Sequence, residues 1–219
     1  LNIETSTKTC SVNLSKNGKS LGVNEITSEK YVHGEKLHLL IKDLFASLNR
    51  SLKQLDAVGV SAGPGSFTGL RIGVATAKGL AFGLDIPLIS MNSLEIMINC
   101  YHNKSTNDNG LYFPMIDARR KEVYTAGYNS YKKQITEIAC LEINSEFLKI
   151  YENYQRLYFL GDGALKFNGE FNSKIVEIDG SIPNSSTGMA YITFEKFKNK
   201  EFESIPYFNP YYLKDFFTG

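Results

Sequence analysis

The run Ser61-Ala62-Gly63-Pro64-Gly65-Ser66-Phe67-Thr68-Gly69-Leu70-Arg71-Ile72-Gly73, with the alanines and glycines that continue to residue 83, constrains this chain more than any other stretch. The apolar residues 56–62 before it read as a strand. Gly63, Pro64 and Gly65 shape a tight turn, and residues 68–84 keep a helical spacing. In that helix Gly69, Gly73, Ala77 and Ala81 recur every fourth residue, and Ala75, Gly79 and Gly83 form a second row. A glycine inside a helix costs roughly 1 kcal/mol relative to alanine, so several in one helix need a reason. Small ridges let a neighbour approach closer than the usual ~8–10 Å between helix axes. That neighbour is either a partner's helix or the chain's own sheet, and spacing leaves both open.

A glycine turn between strand and helix also offers free backbone amides to an anion. The phosphate-loop spacing fails, because no Lys-Ser/Thr pair follows the last turn glycine, and the third glycine of the dinucleotide fingerprint is missing. Ser66 lacks the Gly-x-Ser-x-Gly elbow, since Pro64 holds the first glycine position. No Ser/His/Asp triad can be assembled, so a free-standing hydrolase has no visible machinery.

Residues 1–6, 10–15 and 20–26 are short extended runs, with Asn17-Gly18 as a hairpin turn. Leu37, Leu40, Ile41, Leu44, Phe45 and Leu48 give a helix with one continuous apolar face. A strand over 86–90 and a short helix over 92–100 follow. The polar stretch 101–110 marks a boundary, so residues 1–100 and 101–219 are expected as two subdomains, the C-terminal tail returning to the first. The second half begins with an apolar strand over 111–117. A hairpin from 121–128 and 134–143, a helix over 145–151, a strand over 156–160 and a helix over 186–198 complete it. Ile3-Glu4-Thr5 and Ile116-Asp117-Ala118 occupy matching places. This weak internal repeat predicts an α/β chain of two similar subdomains of mixed sheet with flanking helices, facing each other across a cleft.

A net charge of +1 supplies no global field toward nucleic acid or an anionic membrane. Cys10, Cys100 and Cys140 are odd in number and far apart, which argues against a disulfide framework or zinc site and suits a reducing cytosol. No apolar run approaches the ~20 residues of a membrane span. The first residues already read as strand, so a signal peptide is not expected, and the location expected is cytoplasmic.

Ile3-Glu4-Thr5-Ser6 with Cys10-Ser11-Val12, the long block from Gly63 to Gly73, Ile116-Asp117-Ala118-Arg119 with Glu122-Val123-Tyr124, and Pro210-Tyr211-Tyr212-Leu213 together resemble the TsaB (YeaZ) family. The resemblance implies an actin-like, sugar-kinase-like fold. It also implies a role in forming threonylcarbamoyladenosine in the anticodon loop of tRNAs that read codons beginning with A. There the protein is a non-catalytic scaffold for the paralogue TsaD, is joined by the P-loop ATPase TsaE, reaches tRNA only through the complex, and pairs with itself through the surface used for TsaD. That surface maps onto the helices over 33–48 and 68–84. The expected contact residues are His33, Leu37, Leu40, Ile41, Phe45, Gly69, Arg71, Ile72, Gly73, Thr76, Ala77 and Leu80. Replacing Gly73 and Ala77 by Leu is expected to abolish pairing and leave the monomer folded.

TsaD-type enzymes hold a metal through two histidines four residues apart on a helix. His33 and His38 are five apart, which turns their rings ~140° from each other, and His102 falls in the polar connector. No metal site is expected. Actin-like ATPases cradle phosphate with two acid-led, glycine-bearing turns. Here the first has Glu4 and no nearby glycine, and the second reads Asp117-Ala118-Arg119-Arg120-Lys121. No cofactor is expected, with ATP or ADP confined to the interface with the catalytic partner. Gly161-Asp162-Gly163-Ala164 reads either as a plain helix-start turn or as a relic of the adenosine-contacting turn. Asp117, Arg119 and Arg120 are candidates for a weak nucleotide or RNA contact. Tyr151, Tyr154, Tyr158 and Phe159, and the tail aromatics Tyr207, Phe208, Tyr211, Tyr212, Phe216 and Phe217, could stack bases but suit burial and tail docking. The rival classes are an ATP-dependent phosphotransferase of the sugar-kinase type and a direct tRNA-binding module.

Overall fold

The computed structural model describes residues 1–30, 32–102, 110–171 and 175–214. Phe216, Phe217 and most of the polar connector lie outside the described residues, as does the side chain of His102. By its contacts the chain forms two units, Leu1–Ile96 with Asn184–Tyr212, and Met97–Pro183 with the described end of the chain from Leu213. The change of unit therefore falls within a helix, whereas the sequence reading set it at residue 100, and residues 184–212 pack into the first unit.

The first unit is built on a sheet in the order β3-β2-β1-β4-β5. Its strands are β1 (Asn2–Glu4), β2 (Thr9–Lys16), β3 (Lys19–Thr27), β4 (Val58–Gly63) and β5 (Leu88–Asn92). β1 is antiparallel to β2 and parallel to β4, and β5 is parallel to β4. Two helices flank the sheet, α1 (His33–Ser47) and α2 (Phe67–Leu84). Leu37, Ile41, Leu44 and Phe45 of α1 and Val74, Ala77 and Ala81 of α2 join Ile3, Val12, Val58, Val60 and Leu88 in one core. α3 (Ser93–His102) follows β5 directly.

The second unit repeats the order as β10-β9-β6-β7-β8, from β6 (Leu111–Asp117), β7 (Glu122–Thr125), β8 (Ala139–Glu142), β9 (Leu157–Leu160) and β10 (Val176–Asp179). Counted outward from β1 or β6, each sheet has an antiparallel meander on one side and two parallel strands on the other. This duplicated topology gives two mixed sheets with flanking helices, the two similar subdomains expected from the internal repeat. Phe113, Phe147, Phe159 and Phe167 pack edge to face in the second core around Leu111, Met115 and Val123. α4 (Ser145–Ile150) starts at Asn144, whose side chain accepts from the amides of Glu146 and Phe147.

Some elements differ from the sequence expectation. The second arm of the hairpin is confined to β8, because Tyr128 bridges back to both Tyr112 and Gln134 and uses the ladder positions before it. The helix expected over 186–198 is a 3-10 turn, Ser186–Met189, followed by α5 (Ala190–Lys198). Ser185 caps the 3-10 turn, its hydroxyl accepting from Thr187 N, and Ser186 N donates to Ser11 Oγ at 3.0 Å. That turn belongs to the first unit through hydroxyl chemistry. Ser11 and Ser185 both donate to Glu25 Oε2, at 2.8 and 2.6 Å, and Asn184 Nδ2 donates to Ser6 Oγ at 2.7 Å.

Candidate partner interface

The turn between β4 and α2 is crowded by the chain itself. Gly63 has φ +108°, and a side chain there would meet the carbonyl of Tyr211. The tail is held at that point by Tyr211 N donating to Ala62 O at 2.7 Å. Ser66 caps α2, its hydroxyl accepting from Gly69 N at 3.2 Å, while Ser66 N donates to Ser6 O at 2.7 Å. The carbonyl of Ser6 and the Ser66 cap thus take amides that a bound phosphate would need. Gly63, Pro64 and Gly65 lead from β4 into α2.

The two small-residue rows of α2 face opposite ways. Gly69, Gly73, Ala77 and Ala81 are buried together with Leu70 and Val74. A Cβ on Gly69 would collide with the carbonyl of Thr5, and one on Gly73 with the Thr5 hydroxyl. The close approach these glycines permit is to the end of β1, so Gly69, Gly73 and Ala77 are not on the surface expected for a partner. The expectation that Gly73 and Ala77 could become Leu in a folded monomer is corrected on the same ground. His33, Leu37, Ile41 and Phe45 are likewise buried, and Leu40 is half-buried. His33 Nε2 lies 2.8 Å from Thr7 O and its ring borders Gly69, while burial lowers its pKa and keeps it neutral.

Outward, Ala75, Gly79 and Gly83 are exposed, and no described residue stands within 4 Å of where a Cβ would sit on either glycine. Beside them, half-buried Thr76 and Leu80 line an open groove of about 750 Å3 with Ile41, Phe45, Ala46 and Leu52. Ile72 is half-buried near Gly34 of α1. Arg71 is exposed on the flank, stacked 4.2 Å over Phe67 and donating to the Tyr212 hydroxyl at 3.3 Å. Lys78 donates to the carbonyls of Pro206 and Phe208, so the tail runs along this side of α2. Gly79, Gly83 and the groove residues outside the apolar stripe were missing from the expected contacts. The second row was visible in the sequence, but its direction was not.

The two strand-end acids sit in different settings. Glu4 is fully buried; its Oε1 accepts from Ser6 N at 2.5 Å, its Oε2 has no partner among the described residues, and burial pushes its pKa up to about 7. Asp117 is exposed and is neutralised by Lys166 Nζ at 2.6 Å, and its Oδ1 accepts from Arg119 N at 2.6 Å. The turn after it closes on itself, with Ala118 N bonded to Glu122 O and Glu122 N to Arg119 O. Arg119 and Arg120 are exposed there with φ of +66° and +49°. Gly161-Asp162-Gly163 opens a 3-10 turn, Asp162–Phe167. Among the described residues no cluster of three or more His, Cys, Asp or Glu side chains is placed to hold a metal. His33 points inward to Thr7 O while His38 lines the outer groove, the divergence that their spacing required.

The family model of TsaD, tRNA N6-adenosine threonylcarbamoyltransferase, matches residues 23–172. A curated relative from Haemophilus influenzae, tRNA threonylcarbamoyladenosine biosynthesis protein TsaB, is 37% identical over 124 residues, 57% of this chain and 51% of the relative. The chain belongs to this family, among its TsaB (YeaZ) members. The Escherichia coli protein of the same name is 35% identical over 128 residues, 58% of this chain and 54% of the relative. The chain spans about half the length of the curated relatives it matches. Among solved structures, YeaZ from Pseudomonas aeruginosa superposes with a TM-score of 0.79 at 23% identity, over 97% of this chain and 98% of that one. That likeness places the two-sheet fold in the YeaZ type. No helix of the described residues is long and apolar enough to cross a membrane.

Proposed function

We propose that this chain is a non-catalytic partner subunit in the biosynthesis of tRNA threonylcarbamoyladenosine, pairing through the outer face of α1 and α2 with a TsaD-type paralogue and activating it. The observation that carries this reading is the outer row of α2. Gly79 and Gly83 cost helix stability, neither packs against any described residue, and Gly79 lines the groove. A helix with such a row lets another backbone approach closely. The closed phosphate turns after Glu4 and Asp117 support a subunit without an ATPase site of its own. ATP or ADP is then confined to the interface with the catalytic paralogue, and a TsaE-type ATPase joins the pair. Self-pairing through the same face is the state of the chain when the paralogue is scarce. Contact with tRNA is made through the complex, in the cytoplasm.

The test is co-purification of the tagged chain from its source cell, read by mass spectrometry, alongside transfer of the threonylcarbamoyl group by the purified paralogue. The paralogue should be recovered with the chain, and its turnover should rise when the chain is added. Gly79→Leu should abolish both effects while the chain stays folded. Micromolar binding of Mg-ATP with turnover by the isolated chain would establish the phosphotransferase reading instead. A shift of tRNA by the isolated chain at physiological salt would favour direct RNA binding.

A further inference from the structure

The two faces of the first sheet are built from different chemistry. Ile3, Cys10, Val12 and Val60 point into the apolar core shared with α1 and α2. The alternate residues of the same strands, Asn2, Glu4, Ser11, Asn13 and Ser61, are polar, and all are fully buried. The register sets Asn2 opposite Asn13 and Glu4 opposite Ser11, so these side chains share one face. Residues 184–198 cover that face and grip it through polar groups. Thr193 Oγ1 donates to Asn2 Oδ1 at 2.6 Å, Asn184 Nδ2 donates to Ser6 Oγ at 2.7 Å, and the hydroxyls of Ser11 and Ser186 meet at 2.6 Å. A side chain on Gly59 would strike Asn2 Oδ1 and Thr193 Oγ1, so this glycine lets α5 come close. Met189, Ala190 and Ile192 are the buried apolar residues of the segment, and no residue of 184–198 belongs to the core that α1 and α2 share.

We propose that residues 184–198 form a latch that opens as a unit while the α1/α2 core stays folded, and that ionisation of Glu4 beneath it favours the open form. A face of Asn and Ser loses little when water replaces its cover, because each hydrogen bond within the protein is exchanged for one to water. Segments held in this way open more readily than the whole chain unfolds. Glu4 supplies the control. Among the described residues its Oε2 has no partner, and neither has Oδ1 of Asn184, the residue that bonds Ser6. The groups that favour its charged form, Ser6, Ser61 and the amide of Thr5, are neutral, and burial outweighs them. The charged and titratable groups of the surrounding elements are engaged elsewhere. Glu25 of β3 accepts from Ser11 and Ser185, and Lys196 of α5 donates to Ser90 O and faces Glu95 of α3. Glu203 of the tail accepts from Ser90, and burial holds Cys10 of β2 as a thiol. With the latch open, Glu4 stands in water and titrates near 4.5 rather than near 7. The closed form is therefore favoured most below the lower value, loses that advantage as pH rises between the two, and does not regain it above the upper one.

The experiment is native-state hydrogen exchange of the full chain, resolved by mass spectrometry for residues 184–198 and for α1, with rates corrected for intrinsic exchange. It is run at about pH 6 and about pH 8, in low urea, on the wild type, Glu4→Gln and Thr193→Val. In the wild type, 184–198 should exchange at least about tenfold faster than α1 and with a shallower urea dependence, since less surface is exposed by opening than by unfolding. Its opening should rise about tenfold from the lower to the higher pH. Glu4→Gln should hold that rise within about twofold. Thr193→Val, which removes the donor to Asn2, should raise the opening about fivefold at both pH values and keep the pH response. A single protection and urea slope shared by 184–198 and α1 would mean that the segment leaves only with the whole chain, and the latch falls. A wild-type opening that changes less than about twofold with pH, or a rise that persists in Glu4→Gln, overturns the role of Glu4. Opening unchanged by Thr193→Val overturns the polar grip.

Discussion

On α2, Gly69 and Gly73 press against Thr5, where even one added carbon has no room. Gly79 and Gly83, further along the same helix, face open space. The residue type, the helix and the four-residue rhythm are the same, but the forces acting on the two rows differ. The inner row is explained by this molecule's own fold, since it brings α2 onto the end of β1 and places Ala77 and Ala81 in the core. The outer row finds no explanation within the fold, and its cost is offset only by something outside it. A stripe of small residues therefore means nothing until its direction is known, and substitutions at matched positions can separate the two uses.

The largest effect is expected on the inner row. Gly73→Leu forces a branched side chain into the space of the buried Thr5, with β1 behind it. Overpacking of this kind costs up to ~3 kcal/mol and sometimes more, and here a backbone shift between helix and sheet must add to it. Urea denaturation should show a chain destabilised by ~3 kcal/mol or more, or one that does not fold. A well-folded Gly73→Leu protein of wild-type midpoint would contradict the inward assignment.

The strand end beneath the inner row supplies a second test. Glu4 titrates near 4.5 when unfolded and near 7 when folded, because burial penalises its charged form. In that window the unfolded state has lost the proton that the folded state still holds. Its contribution to stability is therefore complete below the lower value, declines as pH rises between the two, and stays at its low level above the upper one. Glu4→Gln should shrink this decline by on the order of 3 kcal/mol, measured by denaturation at about pH 4.5 and about pH 8. An unchanged pH slope would mean that Glu4 is solvated and that the end of β1 is looser than its packing against α2 requires.

Next comes Gly69→Ala, one methyl aimed at the carbonyl of Thr5 and bordered by the His33 ring. The carbonyl is main chain and cannot rotate aside, so the gain in helix propensity is outweighed. A loss of about 1–3 kcal/mol is expected from thermal or urea denaturation. Stabilisation by this substitution would erase the distinction between the rows.

Much of the fold was legible in the sequence, because hydrophobic period and turn residues act locally. α1, α2, β1, β4, β6 and the repeat that pairs Glu4 with Asp117 all came from such patterns. β10 and the 3-10 turn before α5 did not, since they depend on distant partners. Ser186 is fixed by Ser11 and Asn184 by Ser6, contacts 175 and 178 residues apart in the chain. The candidate site was half legible. Glycine and alanine carry little hydropathy contrast, so the rows announced close approach without its direction. Leu70 and Val74, next to Gly69 and Gly73, were the available sign that this row points inward. Arg50 lay beyond the pattern altogether, because its place at the groove comes from the left-handed turn at Asn49 rather than from helical spacing.

The smallest effect is the most discriminating, because it reverses sign. Gly79→Ala and Gly83→Ala add a methyl group that meets nothing within 4 Å. The folded chain loses no contact, and the unfolded chain loses backbone freedom, so each substitution should stabilise by about 0.5–1 kcal/mol. Gly83 lies one residue before the end of α2, where fraying reduces the gain, so Gly79→Ala should show the larger rise in denaturation midpoint. The same methyl that costs stability at Gly69 thus raises it at Gly79. If the outer row is kept glycine for a partner's backbone, the more stable Gly79→Ala chain should bind the TsaD-type paralogue less tightly. Stability and affinity moving in opposite directions at one exposed carbon is a result that packing within the chain alone would not produce.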